Sequence, residues 1–474
     1  VSRSSAEESA NRILIVQLEF GHQAMFLFFQ HRLPTRAHVI TQHTLHIVGR
    51  FLHIEAMSGV VLLFSAAVAV VWANSSFYES YGALWHSPVS IAFGSYTIAW
   101  DLHFLVNDIF MTLFFLVAGM EIRREIYDGA LSDFKQASLP VIAALGGVCF
   151  PALIYLLLND VPNRSHGWAI PTATDIAFAV GILALLGKSI PDNVRIMLLS
   201  LAIIDDVLAV LIIALFYSNG LDPTGLFIAA CSIILVLVMQ WLGLGSAWLY
   251  VVPAVLLWFG LLKTGTHPAL AGVILGLLTP VLPVKSEDVD RIAKAVKIIS
   301  QQPDNGQLDT KTVTRALRDI RTGERDMVPP VTRVQMALHP WVAFAVMPLF
   351  AFANAGIRVA DVTFSSNGSA FVLSGIGLGL VIGKPLGILL TSFIAVESRI
   401  CRLPAQVSWQ GMILVGILAG VGFTVATFVS MLAFNDMEYL SVAKIGVLFG
   451  STISAVLGVI FGLFYLWNMK RVGK

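Results

Sequence analysis

Arg195-Ile-Met-Leu-Leu-Ser-Leu-Ala-Ile-Ile-Asp205-Asp206-Val-Leu-Ala-Val-Leu-Ile-Ile-Ala-Leu-Phe216 is the stretch that decides how this chain is built. It is long enough to cross a bilayer as a helix, which takes about 20 residues. Its two carboxylates fall near the midpoint, roughly ten residues from either end. A carboxylate at that depth costs about 2.5–3.5 kcal/mol even on the mildest insertion scale. Two side by side, with like charges, are not there for stability.

The rest of the sequence agrees with a membrane reading. Hydrophobic residues make up 57% and charged residues 12% of 474, and mean hydropathy is +0.81; soluble domains carry about 25% charged residues. The chain is therefore expected to be an all-α polytopic membrane protein. Net charge is +1, so no nucleic-acid partner is implied. Cys149, Cys231 and Cys401 are far apart and form neither a disulfide framework nor a metal spacing. Segment 13–29 is partly apolar but is interrupted by Glu19 and His22 and is followed by no small-residue cleavage site, so it does not read as a secretory signal. Residue 1 is Val, which fits an alternative start codon or an over-extended reading frame covering the first ~45 residues.

Apolar segments of spanning length recur at 54–74, 102–121, 139–158, 167–187, 194–217, 225–242, 247–263, 267–283, 338–356, 370–396, 409–434 and 440–468, about twelve helices. Lys and Arg then set the orientation. Stretches 75–101 and 217–224 have none, whereas Glu121–Ser138 has Arg123, Arg124 and Lys135, and 284–336 has ten. Basic residues thus fall in the loops that an even helix count places inside, so both termini are expected in the cytoplasm. The organisation is read as an N-terminal extension over 1–48, a transmembrane domain over 49–474, and a long cytoplasmic insertion at 284–336 with a short helix near Val289–Ser300. Between the first two spans, Val89, Ile91 and Phe93 alternate with small or polar residues, Gly94-Ser95 follows, and Tyr96, Ile98 and Trp100 alternate again, which reads as a β-hairpin. An isolated hairpin is marginal in water, so it is expected to pair with something, such as a second protomer.

Ionisable residues inside spans are functional by default. Four lie well inside: Asp205 and Asp206, Lys384 in the tenth segment, and Asp175 in the fourth. Lys384 is about a dozen residues from either interface, beyond the reach of its four-carbon stem. A purely structural ion pair accounts for Lys384 alone, but one lysine cannot neutralise two carboxylates. Adjacent helix positions diverge by roughly 100°, so one aspartate can meet Lys384 while the other faces a water-filled cavity. Pro171 and Thr174-Asp175 interrupt the fourth segment, and Gly420-Val-Gly422-Phe423-Thr424 the eleventh. Loop charges run helices three to five in the opposite sense to ten to twelve. Matching interruptions in inverted triplets point to a transport site made of two broken helices. Their free ends need counter-charges, Asp175 for N-termini and Lys384 for C-termini.

These residues carry a resemblance. From about Gly49 onward the chain resembles the NhaA-type sodium/proton antiporters, through Asn107-Asp108, Phe114-Phe115-Leu-Val-Ala-Gly-Met-Glu121-Ile-Arg123-Arg124-Glu125, Ala173-Thr174-Asp175-Ile-Ala-Phe178, Ile204-Asp205-Asp206 and Thr266-His267. It continues through His339-Pro-Trp-Val-Ala343, Pro348-Leu-Phe-Ala-Phe-Ala-Asn354-Ala-Gly356, Gly383-Lys384-Pro385-Leu-Gly387 and Gly422-Phe423-Thr424. The resemblance implies inverted-topology repeats with two crossing broken helices, residence in a bacterial inner membrane, a homodimer through the external hairpin 87–100, and exchange of Na⁺ or Li⁺ for H⁺ without a cofactor. It assigns ion binding to Asp205 and Asp206 with Thr174, dipole compensation to Asp175 and Lys384, and a cytoplasmic entrance to Glu121, Arg124 and Glu125. His267, Asp108 and His339 are its candidates for the pH response. Where better-known members carry a Glu-His pair ahead of His339, this chain has Gln335-Met336, and its preceding loop is much longer. The ion site is intact and the pH-sensing cluster is not.

Two other classes use similar chemistry. An intramembrane aspartyl protease needs its two aspartates on separate helices around one water, whereas these adjoin on one helix. A cation channel wants rings of carbonyls or carboxylates and gives Lys384 no reason to be present. No nucleotide-binding Gly-x-x-x-x-Gly-Lys-Ser/Thr run occurs. The expectation is thus a proton-driven transporter and not an enzyme.

Overall fold

The computed structural model describes residues 55–93, 96–127, 134–187, 190–218, 222–244, 247–281, 293–299, 313–320, 329–358, 360, 368–404 and 407–472. The N-terminal extension, most of the 284–336 insertion and the Gly94-Ser95 turn lie outside these residues.

Helix α1 (Glu55–Ala73) is followed by the short α2 (Tyr78–Trp85) and then by two strands, β1 (Pro88–Phe93) and β2 (Tyr96–Asp101). The strands are antiparallel, with Val89 opposite Trp100 and Ile91 opposite Ile98, so the alternation in the sequence does mark a hairpin. Helix α3 (Leu102–Tyr127) and α4 (Ala137–Leu158) follow. Next come α5 (Pro162–Thr172), whose second part is a 3₁₀ turn over His166–Thr172, and α6 (Ile176–Leu185). The aspartate-bearing helix is α7 (Asp192–Phe216). After it come α8 (Pro223–Trp241), α9 (Ala247–Thr264) and α10 (Leu270–Leu278). The C-terminal part consists of α11 (Pro330–Ala355), α12 (Ser369–Glu397), α13 (Trp409–Ala419), α14 (Phe423–Ala433) and α15 (Met437–Val472). Within the insertion, 293–299 and 313–320 are helical.

Among the described residues, eight helices are long and apolar enough to cross a membrane, or up to eleven if each bent pair is one span. The bent pairs are α1 with α2 (119°), α5 with α6 (43°) and α13 with α14 (45°). The last two bends fall where the sequence carries Thr174-Asp175 and Gly420-Val-Gly422. Among the described residues of the segment expected as a span over 267–283, the helix covers the nine residues of α10. The α1–α2 bend was not expected. It is held by Tyr81, whose hydroxyl donates to Phe352 O at 2.6 Å, and by a cluster of Trp72, Tyr81, Trp85 and Phe352 rings.

Local sequence explains the irregular turns. Helix α8 starts at Pro223 behind the Asp222 cap, whose carboxylate accepts from Thr224 N at 2.9 Å. The same N–H and the Thr224 hydroxyl hold the Asp222 carboxyl below its usual range, so the cap stays charged at neutral pH. The π-turns Val342–Val346 and Gly379–Gly383 stand just ahead of Pro348 and Pro385. A proline cannot donate to the preceding turn and its ring crowds that turn's carbonyl, so one wider turn absorbs it.

Close helix approach places the lysine. Gly146 on α4 and Gly387 on α12 lie back to back, and a Cβ on Gly387 would overlap the Gly146 carbonyl. Lys384, fully buried, stands one turn before Gly387. Gly387→Val is therefore expected to force the two backbones apart and lower stability by about 1–3 kcal/mol, read as a lower melting temperature in detergent. Gly377→Ala, which has open space around its Cβ position on the same helix, should leave melting nearly unchanged.

Candidate functional site

Asp205 is the fourteenth of 25 residues in α7, about 20 Å along the helix from its start. Its Oδ2 receives two donors: Lys384 Nζ at 3.0 Å and the Thr174 hydroxyl at 2.6 Å. Both members of the ion pair are completely buried. Thr174 Oγ1 also lies 3.1 Å from Ala419 O, the last carbonyl of α13. Lys384 Nζ donates in addition to Thr172 O, at the end of the 3₁₀ turn. The lysine thus faces both a carboxylate and a helix C-terminus.

Asp175 occupies the other kind of helix end. It caps α6 by accepting from Phe178 N at 3.1 Å. Its second oxygen accepts from Thr424 N at 3.1 Å and from the Thr424 hydroxyl, at the first turn of α14. One carboxylate therefore serves two helix N-termini, where partial positive charge gathers. Asp175 N donates in turn to Val421 O at 2.7 Å. The two interruptions, 173–175 and 420–422, meet here. Gly420, Gly422 and Phe423 form the second interruption and its exit, and all are buried.

Two acceptors remain open. Asp205 Oδ1 is buried with no hydrogen-bond partner. Asp206 is half-buried, and no hydrogen bond or ion pair is seen for it among the described residues. The charged groups around it are Glu121, Asp205, Asp175 and Lys384. Among the described residues no group of three or more His, Cys, Asp or Glu gathers as a metal cluster. The donor set is instead all oxygen: two carboxylates, the Thr174 hydroxyl and helix-end carbonyls. Such a set suits a hard cation.

The remaining expected residues fall in three places. Glu121, Arg124 and Glu125 lie on the last turns of α3, with Arg124 Nη2 3.6 Å from Glu125 Oε1. His267 and Asp108 are brought together, His267 Nε2 being 3.6 Å from Asp108 Oδ1. Ala269 N donates to His267 Nδ1 at 3.3 Å, which leaves Nε2 as the nitrogen that carries the proton toward Asp108. His339 is exposed on α11. Gln335 is buried and Met336 is exposed beside it.

One ionisable group escaped the sequence reading. Lys444, the eighth residue of α15, donates to Asn354 Oδ1 at 3.2 Å. The signal was present, a lysine within the last apolar segment, but it stands close enough to the segment's end to pass for one that reaches the interface.

Fold and site together define a multi-span membrane protein with two adjacent aspartates, one buried and one half-buried, one balancing lysine and two bent helix pairs meeting beside them. Residues 49–461 match the family described as Na⁺/H⁺ antiporter 1, and the chain belongs to that family. It is 56% identical over 442 residues to the Na(+)/H(+) antiporter NhaA of Bartonella henselae, covering 93% of this chain and 97% of that protein. It is 54% identical over 431 residues to the Na(+)/H(+) antiporter NhaA of a Janthinobacterium species, covering 90% and 95%. To Na(+)/H(+) antiporter NhaA 2 of Pseudomonas putida it is 50% identical over 441 residues, covering 93% and 97%.

The geometry makes a stability prediction. Asp175→Ala removes the acceptor for two backbone N–H groups on different helices, each cap being worth about 0.5–2 kcal/mol. The alanine variant should melt lower in detergent than Asp175→Asn, whose amide oxygen can still accept from one of the two.

Proposed function

We propose that this chain exchanges Na⁺ or Li⁺ for H⁺ across a bacterial inner membrane, driven by the proton gradient, and so serves sodium and pH homeostasis. Asp205 and Asp206 are the shared binding site. The observation that carries this reading is the pair of open acceptors, Asp205 Oδ1 and the Asp206 carboxylate, beside a lysine that can balance only one charge. A carboxylate removed from water is harder to ionise, and a like-charged neighbour makes it harder still. Such a pair either holds protons or releases them and takes a hard cation. A site that takes one or the other, never both, gives exchange when it opens alternately to the two sides.

The other residues follow from this. Thr174 adds a hydroxyl ligand. Lys384 balances Asp205 and the end of the 3₁₀ turn when the site is empty, and a bound cation competes with it for Asp205. Asp175 keeps the two helix N-termini from repelling that cation. Glu121, Arg124 and Glu125 form the cytoplasmic entrance, the Glu121 charge drawing cations toward Asp206. In this reading the domain over 49–474 has twelve spans, with α10 completing the twelfth. The bent pairs α5–α6 and α13–α14 are the two broken helices of inverted triplets. Both termini and the insertion 284–336 lie in the cytoplasm, with 1–48 an extension. Two copies associate through the hairpin 87–100 amid membrane lipid.

Flux in proteoliposomes tests the site. Asp205→Asn and Asp206→Asn should each insert normally and reduce Na⁺-driven proton movement to background. Exchange at the parent rate in both would exclude this pair as the site. Current without coupling would instead indicate a channel.

Gln335 and Met336 cannot titrate, so the pH response should come mainly from competition at the aspartate pair, with Asp108–His267 as the second contributor. Lowering pH protonates the pair and weakens Na⁺ binding, by up to about tenfold in apparent affinity per pH unit for each proton displaced. Activity lost at low pH should return when Na⁺ is raised. A maximal rate that still collapses at saturating Na⁺ would require a separate sensor.

A further inference from the structure

At the end of the helix bundle that carries the hairpin, four polar residues from three helices form a chain. Lys444 Nζ donates to Asn354 Oδ1 at 3.2 Å. Asn354 Nδ2 donates to Asn107 Oδ1 at 2.7 Å and to Phe350 O at 3.0 Å. Asn107 Nδ2 lies 3.0 Å from a ring nitrogen of His103. Asn107 and Asn354 are buried to 3% and 2% exposure. An ammonium can only donate, so Lys444 sets the direction of the whole chain. Its presence turns the Asn354 oxygen toward α15, which turns the Asn354 amide toward Asn107 and the Asn107 amide toward His103. The ion-pair geometry gives Lys444 no carboxylate partner among the described residues.

The chain crosses between helices with different duties. Helix α15 is tied to the ion site, since Ser451 Oγ accepts from Gly422 N at the second interruption at 3.3 Å. Ser451 is seven residues, about 10 Å, further along α15 than Lys444. Asn107 and Asn354 belong to α3 and α11. Asn107 also lies within a π-turn, Leu105–Phe110, which sets the adjacent Asp108 against His267. Buried apolar side chains pack next to the chain on the same helices and on α14. Met111 and Phe115 follow Asn107 at one-turn intervals on α3, and Phe350 and Phe428 close in from α11 and α14 at 0–5% exposure. The Phe428 ring is 5.2 Å from Phe115 and 4.9 Å from His267.

We propose that Lys444 is a positioning residue for the exchange reaction: through Asn354 and Asn107 it latches α15 to α11 and α3 and keeps the hairpin end closed over the apolar plug. Opening of that end requires the Lys444–Asn354 bond to part. A neutral amide partner suits this duty, because a carboxylate in its place would hold the lysine by an ion pair that resists separation in a low-dielectric setting. The inference rests on the antiport reading for its purpose, but closure is measurable without any ion flux.

The test uses the full chain with Cys149, Cys231 and Cys401 replaced by alanine and one reporter, Met111→Cys, which is fully buried behind the chain. The protein is reconstituted in liposomes and a membrane-impermeant maleimide is added on the hairpin side. Lys444→Met and Asn354→Ala are each expected to speed labelling about tenfold or more, and Lys444→Arg, which keeps the donor, should restore slow labelling. Melting in detergent is followed alongside, and if Lys444→Met does not fold, Lys444→Leu and Asn354→Ala carry the decision, each expected to speed labelling in the same way. Labelling within about twofold of the reporter parent in the folded variants, or no recovery with arginine, would overturn the latch. Liposomes that label as expected yet show no Na⁺/H⁺ exchange would overturn the antiport reading and leave the latch standing.

Discussion

The structure depends on how one completely buried ammonium is balanced. Lys384 has no route to water and must be matched where it stands. It is matched twice, by the Asp205 carboxylate and by the Thr172 carbonyl. Removing one partner from a buried pair is strongly destabilising, about 3–5 kcal/mol in soluble proteins, because the other is left uncompensated. Every nearby element is arranged around that constraint. The glycine contact between α4 and α12 lets the lysine reach the site, the π-turn ahead of Pro385 aims it, and the end of the 3₁₀ turn supplies its second acceptor.

The same constraint explains why the interruptions come as a pair. Each is a buried bend between two short helices that exposes N–H groups on one side and C=O groups on the other. Neither set can be solvated there, so each needs a side chain of opposite sign. Asp175 gathers the N-termini of α6 and α14 with one carboxylate, and Lys384 faces the end of α5. Once these two charges have matched the helix ends, Asp205 is half-engaged and Asp206 stands open. Those open acceptors, held by a scaffold that is otherwise satisfied, are what the proposed ion site rests on.

A second polar chain at the hairpin end follows different rules. It holds a lysine against neutral amides, and its members are bonded in one direction because the lysine cannot accept. The lysine at the centre is paired with a carboxylate, whereas the lysine at the end meets an amide oxygen. This contrast separates a part of the molecule that must keep its geometry from one that must let go.

Much of this was written in the sequence. Uninterrupted apolar runs revealed the spanning helices because a helix in lipid must satisfy its own backbone and present apolar side chains. Asp205, Asp206, Asp175 and Lys384 stood out because charge in such runs is costly, and alternation around Gly94-Ser95 marked the hairpin. The positions of both interruptions were legible from Thr174-Asp175 and from Gly420-Val-Gly422. What the sequence left open was which groups meet. It did not say which aspartate takes the lysine, that Asp175 caps two helices at once, or that His267 lies against Asp108, since those partners are brought together only by packing of distant segments. It also hid the bend between α1 and α2, the short extent of α10 and the role of Lys444. A lysine near the end of an apolar run reads as one that reaches water, and only the tertiary structure, by placing Asn354 in its path, turns it inward.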